Sequence, residues 1–264
     1  MSMDVSNFLR HSYIKINRYI LNRKFLAILG GPLKGYKWNT SCSYDYITGN
    51  YEDGVALETI TKWLHADSVF YDLGANVGYY SFLANKIIKN GVIYAFEPVP
   101  RNTTIFQAHL KLNENKIKYQ NINLLPYAIS NKDQIVVFSN DDDCAEGNSY
   151  VNSSFYTKRN NTFEVKSYSV DSLVESGYNK PDIIKIDVEG AEYDVLLGAV
   201  KTLTQYRPKI LLATHDCHVP GVQKKCVDFL EEMGYTLTRM DASIKKISGL
   251  DDYIAVHTTQ IINN

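Results

Sequence analysis

From Ser68 onward, short β-branched and aromatic runs alternate with helical patterns, which confines the chain to a parallel sheet with helices on both faces. Strands are expected over 69–73, 92–96, 122–128, 182–187 and 209–214. Helices are expected over 78–88 and 100–112, with two more starting near Ala191 and Pro220. Residues 235–239 and 253–257 fall close together and are expected to form an antiparallel edge. Between the third and fourth strands, 135–138 and 163–169 read as a hairpin around a polar loop, 139–162, the residues at 134–169 being an insertion. With 264 residues, 45% of them hydrophobic, the chain can bury such a sheet without disulfide or metal. No apolar run reaches the ~18–20 residues of a membrane span.

The first strand ends at an acid, passes through a Gly-x-Asn-x-Gly turn and opens directly into a helix: Tyr71-Asp72-Leu73-Gly74-Ala75-Asn76-Val77-Gly78-Tyr79. Glycines there let the backbone approach a ligand, and the free amides of a helix start favour an anionic group. Asp72 adds a fixed negative charge that a pyrophosphate would avoid and a cationic group would welcome. Glu97 ends the second strand, where an acid accepts hydrogen bonds from a ribose diol. A nicotinamide dinucleotide shares the ribose acid but calls for Gly-x-Gly-x-x-Gly without the preceding Asp. A zwitterionic, sulfonium-bearing nucleoside such as S-adenosylmethionine fits both halves better.

Asp72–Gly78, Phe96-Glu97-Pro98 and Ile184-Lys185-Ile186-Asp187-Val188-Glu189-Gly190-Ala191-Glu192 together resemble the FkbM family of S-adenosylmethionine-dependent O-methyltransferases, over about residues 50–240. The resemblance implies a class I methyltransferase, Rossmann-like α/β fold: a seven-stranded, mostly parallel sheet with an antiparallel final strand. It implies Asp72, Gly74, Asn76 and Gly78 around the methionine moiety, with Ala75 and Pro98 in the same motifs, and Glu97 on the ribose. Ala128 falls where adenine contacts are usual in the class. Tyr51-Glu52 resembles the family's entry segment more weakly.

Active sites of open α/β sheets lie outside the carboxyl ends of the strands. The fourth strand tip brings Asp187 and Glu189, and the fifth Thr214-His215-Asp216-Cys217-His218. His215 is the expected base, since an unperturbed imidazole titrates near neutrality. Asp187 follows as base or cofactor contact, with Asp216 beside them. Glu189 and Glu192 are read as acids favoured by a helix N-terminus. A divalent cation, if any, is expected on Asp187 and Asp216, but a neighbouring imidazole suits Mg²⁺ poorly, so metal is not the preferred reading. His215-x-x-His218 alone is too short to mark a zinc site.

The overall net charge is −1, yet residues 1–44 carry seven Lys/Arg against Asp4 alone. The catalytic region is therefore acidic. No Asn-Pro-Pro-Tyr-type clamp follows the fourth strand, so nucleic acid is not an expected partner. Four cysteines without Cys-x-x-Cys spacing, and no apparent secretory signal, suggest a reducing, cytoplasmic setting. Residues 1–50 are read as a basic helical extension to a methyltransferase domain at 51–264. Within it Leu9, Tyr13, Ile16 and Ile20 share a helix face. The preferred reading packs that face on the domain, and the other lays residues 8–24 on an anionic membrane. Oligomeric state leaves no trace in the sequence. The expected activity is S-adenosylmethionine-dependent O-methylation of a sugar, glycoconjugate or related natural product, with a small-molecule or glycan acceptor. An NAD-dependent oxidoreductase and a non-catalytic cofactor- or membrane-binding member are the alternatives.

Overall fold

In the computed structural model, residues 5–49, 54–140, 149–151, 162–240 and 249–261 are described. Tyr51, Glu52 and most of the loop 139–162 lie outside them. Seven strands form the main sheet: β1 Val69–Leu73, β2 Val92–Phe96, β3 Ile122–Leu125, β4 Ile183–Ile186, β5 Lys209–His215, β6 Tyr235–Arg239 and β7 Leu250–His257. Their order is β6-β7-β5-β4-β1-β2-β3, and only β7 runs antiparallel to its neighbours. The expected Rossmann-like methyltransferase sheet with a reversed last strand is present. The chain passes from β1 to β2 and β3 on one side and supplies β4 and β5 on the other. A crevice therefore opens outside the carboxyl ends of β1 and β4.

Alternate residues of each strand feed two cores. Phe70, Ile93, Ile183 and Leu211 face α1 Val5–Lys15, α2 Tyr44–Thr48, α3 Gly54–Trp63, α4 Tyr79–Ile87 and α5 Pro100–Leu112. Tyr71, Leu73, Ile184, Ile186 and Leu212 face α6 Val170–Glu175, α7 Glu192–Leu197, α8 Val200–Tyr206 and α9 Val222–Glu232. The third strand ends sooner than the sequence suggests. Pro126 has no N–H to continue the ladder, and Ala128 pairs instead with Ser167 in a separate four-stranded sheet. In that sheet Gln134–Asn140 and Thr162–Tyr168 run antiparallel.

The expected packing of the N-terminal helix face is corrected, whereas residues 25–49 do pack on the domain: Leu26, Ile28, Leu33, Trp38 and Ile47 belong to the first core. Trp38 stacks on His109 of α5 with ring centroids 3.9 Å apart. His109 Nδ1–H donates to the Val77 carbonyl, and Nε2 accepts the Asn39 N–H. The apolar face of α1 is turned the other way. Ile14 is fully buried and Asn17 nearly so, whereas Leu9, Tyr13, Ile16 and Ile20 are exposed, Ile20 at 74%. Polar anchoring decides this orientation: Arg10 donates to the Thr48 carbonyl at the end of α2, where a cation also suits the helix dipole. Asn17 turns its amide back to the Tyr13 carbonyl in the π turn Ile16–Ile20 that follows α1.

Burial pushes the His109 pKa down from 6.5 to about 4 against its bond to Val77. A depressed pKa means that the unfolded chain takes up the proton first as pH falls below 6.5. This histidine's contribution is therefore present above 6.5 and lost progressively down to about 4. The loss reaches about 2 kcal/mol at pH 5. Urea unfolding at pH 7 and pH 5 should show that excess loss in the wild type relative to His109→Gln. Equal pH slopes in the two proteins would contradict it.

Candidate active site

Two cavities open at the β1–β4 crevice. The smaller, of about 60 Å³, is lined by Gly74, Glu97, Pro98, Asn102 and Ala128 among others. The larger, of about 310 Å³, includes Ser41, Ser43, Tyr80, Arg101, Lys185, His215, His218 and Asp252 in its walls. Asn76, Asp187 and Glu189 line both.

The turn after β1 is built by backbone geometry. Gly74 and Ala75 both donate their N–H to the Phe96 carbonyl, and Gly74, Asn76 and Gly78 all adopt positive φ. At Gly74 a Cβ would stand 1.8 Å from the Asp187 carbonyl oxygen, so only glycine lets the β1 turn rest against the tip of β4. Glu97 Oε2 accepts the Asn76 N–H at 2.8 Å, while Oε1 accepts from Val99 N and the Asn102 amide. Burial pushes the Glu97 carboxyl up to about 7 in spite of these bonds.

Of the residues expected around a nucleoside, Gly74, Asn76, Glu97, Pro98, Ala128 and Asp187 line the cavities. Ala75 and Gly78 do not; they shape the turn from behind. Asp72 is the clearest correction. Its carboxylate is wholly buried, accepts from Ser81 Oγ at 2.6 Å and stands 3.5 Å from Lys185 Nζ. It lines neither cavity, and Lys185 stands between it and the larger one. Burial raises its pKa against the pull of Lys185 and Ser81.

Lys185 is a site residue that the sequence pattern alone does not single out. The signal was available: one lysine in the otherwise apolar Ile183–Ile186 strand. The strand register sets it beside Asp72, and its Nζ lies 3.1 Å from Asp187, donates to the Gly74 carbonyl and sits over the Tyr80 ring. Burial alone would raise the Asp187 pKa, but Lys185 and His215 outweigh it and hold the carboxyl below its ordinary value.

His215 ends β5 among carboxylates. Its Nδ1 is 2.7 Å from Glu192 Oε1, and its Nε2 is 3.4 Å from Glu189 and 3.6 Å from Asp187. Burial would depress the imidazole pKa, but Glu192, Glu189 and Asp187 together lift it to about 9. The expected base poised near neutrality is thereby corrected: in this setting His215 already carries its proton at pH 7. Asp216 is corrected too. Its carboxylate accepts the N–H groups of Gln223 and Gly221 and so caps the start of α9, away from the cluster. Glu192 is no ornament of the helix dipole, since it is fully buried and also accepts the Gly190 N–H. Asp252, likewise missed, faces the larger cavity, where burial and Asp187 push its pKa up to about 6.

The chain is similar to known proteins. The family model "Methyltransferase FkbM domain" matches residues 72–237. The hexuronic acid methyltransferase AglP of Haloferax volcanii is 30% identical over 190 residues, covering 71% of this chain and 70% of that protein. The crystal structure of a methyltransferase FkbM from Methylobacillus flagellatus aligns with a TM-score of 0.53 at 15% identity over 74% of this chain. This chain spans only 44% of that structure's length.

Proposed function

Because the chain belongs to the FkbM methyltransferase family, we propose that it uses S-adenosylmethionine to methylate a hydroxyl oxygen of an acidic sugar of the hexuronic acid type. The observation that carries this reading is the meeting of a small recess, lined by the β1 turn and the β2 tip, with a larger cavity at Asn76, Asp187 and Glu189. The recess fits the cofactor: a glycine stands where any Cβ would collide, and a buried carboxylate waits at the β2 tip. When bound, S-adenosylmethionine supplies a methyl group on a positively charged sulfur. Glu97 keeps acceptor capacity for the ribose hydroxyls. The surplus of acids over Lys185 and His215 favours a cationic ligand at the junction.

In the larger cavity the chain holds the acceptor hydroxyl in line with the methyl carbon. Such positioning can supply ~7–11 kcal/mol of the barrier. The hydroxyl proton leaves toward Asp187, whose lowered pKa makes it a weak base, so alignment carries most of the rate. Arg101, an exposed cation on the same wall as Ser41 and Ser43, is placed to receive the sugar carboxylate. The test is release of S-adenosylhomocysteine with a panel of uronic acids, matched neutral hexoses and glycans containing them. A preference of at least tenfold in kcat/KM for uronates is expected. Turnover with neutral sugars alone would overturn the Arg101 assignment, and turnover with none of the panel would overturn the acceptor class.

The outward face of the N-terminal helix fits an anionic bilayer surface. Ile16, Tyr19, Ile20 and Leu21 are exposed together, with Arg18, Arg23 and Lys24 among them. No described helix is long and apolar enough to cross a membrane. Cosedimentation with phosphatidylglycerol vesicles should exceed that with phosphatidylcholine, each nearby cation adding about 1 kcal/mol. Ile16→Glu/Ile20→Glu should abolish it. Wild-type binding to neither vesicle, or concentration-dependent dimerisation lost in the same variant, would contradict membrane docking.

A further inference from the structure

The junction of the two cavities holds a donor set of which the proposed methyl transfer uses only Asp187. Asp187, Glu189 and His215 each offer one ligand atom, and these atoms all lie within 4.8 Å of one another. The individual separations are 3.4 Å from Glu189 Oε2 to His215 Nε2 and 3.6 Å from Asp187 Oδ1 to the same nitrogen. Adjacent ligands on an octahedral ion with bonds of ~2.1–2.2 Å stand about 3 Å apart, so small side-chain rotations close the set. We propose that Asp187, Glu189 and His215 form a three-ligand site for a divalent first-row transition cation of the Mn²⁺ type.

Two further observations point to a cation there. Glu192, buried behind His215, holds Nδ1 at 2.7 Å, which orients the ring with Nε2 toward Asp187 and Glu189. A carboxylate on the far nitrogen is the usual outer support of a metal-bound histidine, and a cation bound at Nε2 displaces the proton there. Glu189 Oε2 is buried between two imidazole nitrogens, His218 Nδ1 at 3.1 Å and His215 Nε2 at 3.4 Å, with no well-directed hydrogen bond to either. A cation would give that oxygen a directed partner. The donor chemistry selects the ion. An imidazole among the ligands disfavours Mg²⁺ and Ca²⁺, and two carboxylates without a thiolate disfavour soft metals.

The three ligands come from the tips of two adjacent strands, and all of them line the 310 Å³ cavity. A cation held there would take vicinal oxygens of the acceptor sugar and lower the pKa of the coordinated hydroxyl. The hydroxyl proton would then leave more readily toward Asp187, and the oxygen electron pair would become available for attack. That part rests on the proposed acceptor, whereas the cation site itself does not.

The experiment therefore begins without sugar. The full chain, stripped with chelator and dialysed, is titrated with Mn²⁺ while the free-ion electron paramagnetic resonance signal is followed. One ion per chain is expected, with Mg²⁺ competing only at a concentration at least 100-fold higher. Glu189→Gln should weaken Mn²⁺ binding at least 30-fold. Glu192→Gln, which touches no ion, should weaken it about 10–100-fold as a positioning residue. Thermal melts of both variants report whether they fold. No bound Mn²⁺ in the wild type, or equal affinity in the folded Glu189→Gln variant, would overturn the cation site. Methyl transfer without any Mn²⁺ binding would do so while leaving the proposed activity standing. Binding with turnover indifferent to chelator would sink only the contact with the sugar oxygens.

Discussion

Gly74→Ala should abolish cofactor binding and turnover together while lowering stability by several kcal/mol. Its Cβ would lie 1.8 Å from the Asp187 carbonyl oxygen and 2.9 Å from the carbonyl carbon, with φ at +76°. Left-handed backbone alone costs an L-residue about 1–2 kcal/mol. The collision is the larger effect, because the neighbour is backbone at the tip of a central strand and cannot rotate away. The β1 turn and the β4 tip must separate, which pulls Asn76 from Glu97 and Lys185 from the Gly74 carbonyl. Gly177 provides the control: φ there is +104°, and nothing lies within 4 Å of where a Cβ would stand. Gly177→Ala should show strain of about 1 kcal/mol and normal affinity for S-adenosylhomocysteine. Calorimetric titration of both variants, with thermal melts, checks the contrast. Near-normal ligand affinity in Gly74→Ala would contradict the close approach of β1 and β4.

Asp187→Asn should lower kcat by about 10²-fold while changing S-adenosylmethionine affinity by less than about tenfold. Asp187 is on the walls of both cavities and is held by Lys185 at 3.1 Å. The amide keeps the shape but loses the charge that receives the hydroxyl proton and, in the proposed cation site, one ligand. Lys185 retains Asp72 and the Gly74 carbonyl, so the fold should survive. Turnover within tenfold of wild type would remove Asp187 from the reacting centre.

The sheet was legible because each strand is a short apolar run bounded by turn residues, and the motif after β1 carries its own geometry. Short elements were not. α6 and α8, of six and seven residues, are too brief for a helical period to emerge. The turned face of α1 was hidden because Arg10 finds its partner 38 residues away at Thr48, beyond the reach of any local pattern. Within the site, residue types at the strand tips were readable but their pairing was not. Asp216 and Glu189 are both acids at strand ends, yet the first caps α9 while the second joins the cluster. His215 shows the same limit. An imidazole is neutral or charged according to what surrounds it, and three carboxylates from the β4 tip and α7 become its neighbours only when the chain folds.

The central claim is that cofactor and acceptor meet over the β1 and β4 tips. A crystal structure with S-adenosylhomocysteine tests it most directly. The ribose hydroxyls should bond to Glu97, the adenine should lie beside Ala128, and the sulfur should face Asp187 at the mouth of the larger cavity. A nucleoside bound away from Glu97, or a sulfur turned from Asp187, would contradict the account.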